Sequence, residues 1–322
     1  MDTASHLLFG ATLGGLAMLD PALAAQPAAM LAVWTATLLG SHAPDFDTVM
    51  RFKGQAAYVR HHRGITHSLP APAIWSLLGL PIAWLYGVPE LAWQVVGWMF
   101  VAVCFHVLLD LFNSFGVQCA RPVTQKWLHL DTLCLFDPYL FVLHASGCIL
   151  WASGLAEPGP MFAIIYAMTA LYIGWRLRVS RKVKRLLRES FGLRTGITLV
   201  PSLLGYSWQF TADCGDHYAA GTVAGGLVKI ETTVSKLDDA ELVPVVRAAM
   251  NEEGVKALLS FSERVHVNVQ EKLDGYEVTW SDVRFWNKQQ MPFGVAVTLD
   301  ADMKVLNHRL GWNKKTWEPP HV

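Results

Sequence analysis

The sequence predicts a mainly α architecture: a polytopic helical membrane domain of about six spans, followed by a C-terminal α+β soluble domain. Three observations carry this. Charged residues make up only 16% of the chain and hydrophobic ones 52%, against roughly 25% charged in ordinary soluble domains. Long apolar runs dominate up to about Trp175, whereas charge is frequent from Arg176 onward. Beyond that point short runs alternate apolar and polar residues, the period of half-buried strands. The boundaries follow: a membrane-embedded domain over 1–176, a basic juxtamembrane linker over 177–194, and a cytoplasmic domain over 195–322.

Six apolar segments are readable in chain order: about Leu7 to Leu23, Ala28 to Leu39, Leu69 to Val88, Leu91 to Phe112, Tyr139 to Leu155 and Met161 to Trp175. A hydrocarbon core of about 30 Å needs roughly 20 helical residues. The second segment is short by that measure, so the first two are expected to tilt or to lie partly at the interface. The first run is not read as a cleaved leader, because MDTASH before it lacks the positive charge of a signal peptide.

Orientation follows from Lys and Arg in the connections. The turns near Asp20 to Gln26, Gly87 to Glu90 and Ala156 to Pro160 carry neither. The other side holds Arg51, Lys53, Arg60, Arg63, Arg121 and Lys126, then the dense run RLRVSRKVKRLLR from Arg176 to Arg188. With an even number of spans, both termini are expected on the cytoplasmic side of the membrane. The basic run is an orientation signal and also suits anionic lipid headgroups or a phosphorylated partner. Formal net charge is +0, and no nucleic-acid partner is expected. The five cysteines are widely spaced without a CxxC pair, so no disulfide framework is indicated.

In the C-terminal part, VKIETTV (Val228 to Val234), RVHVNVQ (Arg264 to Gln270) and YEVTWSDVRFW (Tyr276 to Trp286) read as strands, with Asp274-Gly275 marking a hairpin. Helices are expected near Ala240 to Met250 and Gly254 to Phe261. The scattered His217, His266 and His308 read as structural or surface residues.

The chemistry concentrates in the apolar half. GSHAPDFDTVMRFKGQAAYVRHHRGITHS, Gly40 to Ser68, packs His42, Asp45, Asp47, His61, His62 and His67 into one connection. His6 opens the first segment. In HVLLDLFN, His106 and Asp110 stand at i, i+4 on one helical face, with Asn113 at i+7. An acid and an imidazole inside a membrane helix are costly unless paired or liganded. All these residues map to the same, cytoplasmic face. Imidazole with carboxylate suits a divalent metal, Zn²⁺ first and Mn²⁺ or Fe²⁺ next, whereas oxygen alone would suit Ca²⁺ or Mg²⁺.

SHAPDFD, HRGITHS and HVLLDLFNSFG resemble the motifs of the bacterial YdjM/YfhP-type inner-membrane proteins, described as metal-dependent hydrolases (the DUF457 family). The resemblance covers about Met1 to Trp175. It implies a multi-spanning protein with a metal site at His6, His42, Asp45, Asp47, His62, His67, His106 and Asp110. The domain after about Arg188 falls outside that pattern. The order Asp, His, then helical His-x-x-x-Asp also resembles the all-helical zinc-dependent phospholipase C and P1 nuclease group. That group's further helical His-x-x-x-Glu is missing here, so a mono- or dinuclear site is expected.

The function expected is a membrane-bound metal-dependent hydrolase of a phosphoester or lipid ester at the cytoplasmic face. Asp45 or Asp47 would serve as general base, and Arg63 would stabilise anionic charge. Two other readings stand beside it. One is a non-enzymatic membrane protein with a structural metal and a soluble domain that binds a protein partner. The other is a proton or metal transporter relaying through His106 and Asp110.

Overall fold

Small residues decide how the helices of the apolar half approach one another. The computed structural model describes residues 1–236, 244–287 and 290–312. The chain forms two units, Met1–Asp47 with Arg63–Val179, and Thr48–His62 with Ser180–Val322.

In the first unit α1 (Thr3–Leu16) begins at Asp2, whose carboxylate accepts from the Ser5 amide. A short α2 (Pro21–Ala24) starts at the Asp20 cap and leads to α3 (Pro27–Gly40). A Cβ on Gly10 of α1 would lie 2.4 Å from Ser41 Oγ and 2.9 Å from the Thr37 carbonyl, so glycine is what lets α1 reach the end of α3. At Gly40 the same test meets the Met99 carbonyl at 2.9 Å. The end of α3 therefore sits directly on α7 (Ala92–Leu111), as small residues permit between membrane helices. Ala29, Ala32, Val33 and Ala36 of α3 share a core with Val95 and Met99 of α7 and with Ile82 and Ala83. The last two belong to α6 (Gly79–Leu85), which follows α5 (Ala71–Ser76). A second core gathers Phe9, Leu109, Leu140 and Ile173. It joins α1 and α7 to α8 (Pro138–Ala152) and α9 (Pro158–Phe191).

Among the described residues two helices, Pro89–Leu111 and Pro158–Phe191, are long and apolar enough to cross a membrane. A third crossing is available if Gln55–His67 and Ala71–Leu85, bent by 76° at their break, count as one. The expected six spans are therefore not matched by six long helices. Thr3–Leu19, Pro27–Gly40 and Pro138–Ala152 are apolar but short. At 1.5 Å per residue, a helix of 14 or 15 residues reaches about 21–23 Å of a core about 30 Å thick. Hydropathy reported the apolar character of these segments, not their length as helices. Their outward faces are still apolar: Leu7, Leu31 and Ile149 are exposed.

In the second unit α4 (Gln55–His61) packs on α11 (Glu253–Phe261), where Arg60 Nη2 meets Glu253 Oε2 at 2.8 Å. The first sheet runs β1 (Gly196–Pro201), β2 (Ser207–Asp213), β3 (His217–Ala224) and β4 (Leu227–Ser235), all antiparallel and in sequence order. After α10 (Pro244–Ala249) and α11, the second sheet repeats that order with β5 (Val265–Lys272), β6 (Gly275–Asp282), β7 (Phe293–Asp300) and β8 (Val305–Trp312). Of the helix expected near Ala240 to Met250, the part before Pro244 lies outside the described residues. The hairpin turn falls at Leu273–Asp274, one residue before the expected pair. Gly275 opens β6 instead, because a Cβ there would lie 2.1 Å from the Leu299 carbonyl. The strand expected to reach Trp286 ends at Asp282, whose carboxylate caps a 3₁₀ turn over Val283–Phe285. His308 pairs with Glu252, His217 with Asp216, and His266 with the Ser235 carbonyl.

Candidate metal centre

Two buried imidazoles form the middle of the site, and both are held from behind. His106 lies on α7 facing the end of α3, and its Nδ1 is 2.7 Å from the Ser41 carbonyl oxygen. A carbonyl only accepts, so Nδ1 carries the proton and Nε2 the lone pair. His67 ends the 3₁₀ turn Ile65–His67. Its Nδ1 is 3.0 Å from Thr66 Oγ1, and that hydroxyl donates to Asp47 Oδ2 at 2.6 Å. With its proton given to Asp47, Thr66 accepts from His67 Nδ1–H, and His67 Nε2 also keeps its lone pair. Orienting contacts of this kind fix ligand histidines in metal sites.

The two Nε2 atoms stand 3.3 Å apart. Asp45 Oδ1 lies 3.6 Å from each of them. Asp110 Oδ2 lies 3.5 Å from His67 Nε2 and 3.6 Å from His106 Nε2. These separations match the edges of a tetrahedron whose centre is about 2.0–2.2 Å from each corner, the range of Zn–N and Zn–O bonds. Asp110 Oδ2 is fully enclosed and makes no hydrogen bond among the described residues. An enclosed carboxylate oxygen without a donor is costly unless a cation meets it. Asp45, His67, His106 and Asp110 thus form a group that can hold a metal ion.

The other oxygen of Asp110 is spent on cations of the chain. Oδ1 accepts from Arg63 Nη2 at 2.9 Å, contacts the Met1 amino group, and lies 3.6 Å from His6 Nε2. Arg63 Nη1 donates to Asn113 Oδ1 at 3.1 Å. Arg63 has φ +61°, and its amide donates to Asp47 Oδ2 at 2.9 Å. Its guanidinium is buried against Asp110 and Asn113. His6 stacks on His106 with ring centroids 3.7 Å apart, one layer behind the four converging atoms. Asp47, engaged by Arg63 and Thr66, also lies behind them.

Asp45 is the member nearest solvent, its side chain 17% exposed. It sits on the 3₁₀ stretch Ala43–Lys53, outside the apolar helices. His42, in the turn after α3, has its pKa lowered by burial. Its Nδ1 is enclosed and without a hydrogen-bond partner among the described residues. His62 follows α4 in the second unit, stacked on Tyr58 with centroids 4.7 Å apart. His144, a buried imidazole on α8, is held by Thr12 and Thr169.

Sequence reasoning missed Thr66 and the Ser41 carbonyl. Only their adjacency to His67 and His42 hinted at them, since hydroxyls and carbonyls have no ligand spacing of their own.

Residues 1–183 match the family described as YdjM inner membrane protein, and residues 244–318 match the YfhP C-terminal alpha/beta plait domain. Over 313 residues the chain is 34% identical to a Bacillus subtilis (strain 168) protein described as uncharacterized protein YfhP, covering 97% of this chain and 95% of that one. No solved structure matches the chain. The likeness runs past the stretch from Met1 to about Trp175 and takes in the C-terminal domain.

Proposed function

The chain belongs to the YdjM inner membrane protein family, and we propose that it is a membrane-bound metal-dependent hydrolase. Its substrate would be a phosphoester or lipid ester met at the cytoplasmic face. The protein would be multi-pass with both termini cytoplasmic, the short apolar helices completing passes beside the long ones. The observation that carries the reading is the convergence of His67 Nε2, His106 Nε2, Asp45 Oδ1 and Asp110 Oδ2 at 3.3–3.6 Å across five of their six separations.

His67, His106 and Asp110 would hold the ion, zinc before manganese or iron. A divalent ion held there would supply activation of a water near neutral pH and polarisation of a phosphoryl or carbonyl oxygen. Asp45, at the solvent edge and ionised, would take the proton from the attacking water as general base. Asp47 and Thr66 would orient His67, and Arg63 would fix Asp110 while balancing its charge. His6, His42 and His62 stay in the proposal as candidates for a second ion. Exposed Phe46 and Ile65, next in sequence to Asp45 and Thr66, favour an amphipathic substrate.

A second reading has one specific observation in its favour. Four protein donors can close a tetrahedron, as in structural zinc sites, and the protein would then be non-enzymatic. Metal analysis of the detergent-purified full-length protein, with a screen of phosphoester and lipid-ester substrates, tests both. Stoichiometric metal with hydrolysis lost in Asp45→Asn supports the hydrolase. Stoichiometric metal without turnover favours the structural reading, and a metal-free protein sinks both.

A further inference from the structure

The basic run from Arg176 to Arg188 plays no part in the metal centre. It also does not leave the helix, since α9 continues unbroken from Pro158 to Phe191. At 1.5 Å per residue this is about 50 Å of helix, well beyond a hydrocarbon core of about 30 Å.

One stripe of α9 faces outward along its length. Ile164, Met168, Leu171 and Trp175 are 63%, 49%, 75% and 53% exposed. Arg178, Lys182 and Arg185 continue the stripe at the same alternating spacing of four and three residues, and all three are exposed. That spacing keeps side chains on one helical face. Arg181 and Arg188, also exposed, flank it. The inward face carries Phe162, Ile165, Ile173 and Leu187. Arg176 is excluded from the stripe, because it is buried and donates Nε and Nη2 to the Thr132 carbonyl at 3.3 and 3.2 Å. No Asp or Glu occurs between Glu157 and Glu189.

Along one face, then, aliphatic side chains give way to a tryptophan and then to cations. This is the order of acyl chains, interface and headgroups in a bilayer, with tryptophan favoured at the boundary. Arg178 and Lys182 lie about 4.5 and 10.5 Å beyond Trp175 along the axis. The headgroup zone is about 5–8 Å deep on each side, and long cationic side chains can bend back into it.

We infer that this stripe is a binding surface for anionic phospholipid headgroups, with the lipid's acyl chains lying against Ile164, Met168 and Leu171. The same spacing would also suit a helix seam with a second copy. A parallel seam would set Arg178, Lys182 and Arg185 against their own counterparts, so charge favours the lipid.

The test uses full-length protein in neutral detergent, with lipid retention read by native mass spectrometry. The probes are phosphatidylglycerol and phosphatidylcholine of equal chain length. Unaltered protein should retain phosphatidylglycerol preferentially, and the preference should fall as salt rises. The triple variant Arg178→Gln, Lys182→Gln, Arg185→Gln should bind it about 100-fold more weakly. Exchanging Lys for Arg and Arg for Lys at the three positions should preserve binding. Free glycerol phosphate should not compete, and competition by it would reassign the stripe to a soluble anion. Equal retention of the two lipids, or undiminished phosphatidylglycerol on the glutamine variant, overturns the inference. So does a glutamine variant that changes only oligomeric mass. If that variant does not insert, the salt series on unaltered protein decides, and a preference indifferent to salt rejects it.

Discussion

Nε2 of His67 and Nε2 of His106 face each other at 3.3 Å while both Nδ1 atoms are occupied from behind by Thr66 and by the Ser41 carbonyl. Two lone pairs so arranged repel each other, and a shared cation relieves them. The carboxylates of Asp45 and Asp110 complete the surroundings that a divalent cation needs.

Ligand removal should therefore be selective. Asp110→Asn is expected to lower metal occupancy of the purified protein far more than Asp131→Asn does. Asp131 is also buried, but it pairs with His129 at 2.5 Å and is not one of the four converging donors. Metal content by elemental analysis checks this, and equal content in the two variants counts against the site.

The Thr66 relay gives a subtler test. Thr66→Val removes the hydroxyl between His67 and Asp47 at nearly constant volume, and should weaken metal binding by about 10–100-fold. Thr66→Ser should restore most of it. A competition titration with a chelating dye reads both. If valine and serine behave alike, the hydroxyl does not orient His67.

Gly40 links packing to chemistry. Gly40→Val places side-chain atoms against the Met99 carbonyl and should cost about 1–3 kcal/mol. It should also reduce metal affinity, because the Ser41 carbonyl that holds His106 must move with the end of α3. Thermal unfolding and metal titration on the same sample are the measurements. Lost stability with unchanged affinity would separate the two effects.

The C-terminal domain should be dispensable for the metal. A chain ending at Glu189 is expected to keep the metal-to-protein ratio of the full length, since the four donors belong to the first unit. Its thermal stability should fall, because α4 loses α11 as a partner. In the full chain, Trp280→Ala removes a side chain that is only 2% exposed. It should cost about 3–5 kcal/mol and leave metal content alone. A truncated protein that inserts but holds no metal would move a ligand to the second half.

Topology is tested by a reporter fused after Val322, which is expected to be active in the cytoplasm. Activity confined to the other compartment would reverse the orientation and move the site with it.

Much of this was legible because acids and imidazoles in an apolar chain are expensive, and His106 with Asp110 carried the period of a helix. Asp45 and His67 followed from the crowding of ligand types between two apolar runs. The number of spans was less legible, since hydropathy responds alike to burial in lipid and burial in protein. In the second unit β4, β5 and β6 announced themselves by alternation. β2 and β3 did not, because both bury residues on successive positions and so lose the two-residue period. Thr66 shows the other limit: its hydroxyl acts through where it stands, and its residue type alone says little.

The amide of Arg63 closing onto Asp47 at 2.9 Å has a consequence for how the chain can diverge. The excursion Thr48–His62 departs after one of these residues and returns at the other, so it is pinched at its neck. Lengthening a loop whose ends are already pinned costs only about 0.6 kcal/mol for each doubling. Insertions and deletions among relatives should therefore collect ahead of α4, which packs on α11, and leave the donor atoms where they are. That part of the excursion can change in length while the chemistry at its base stays in register.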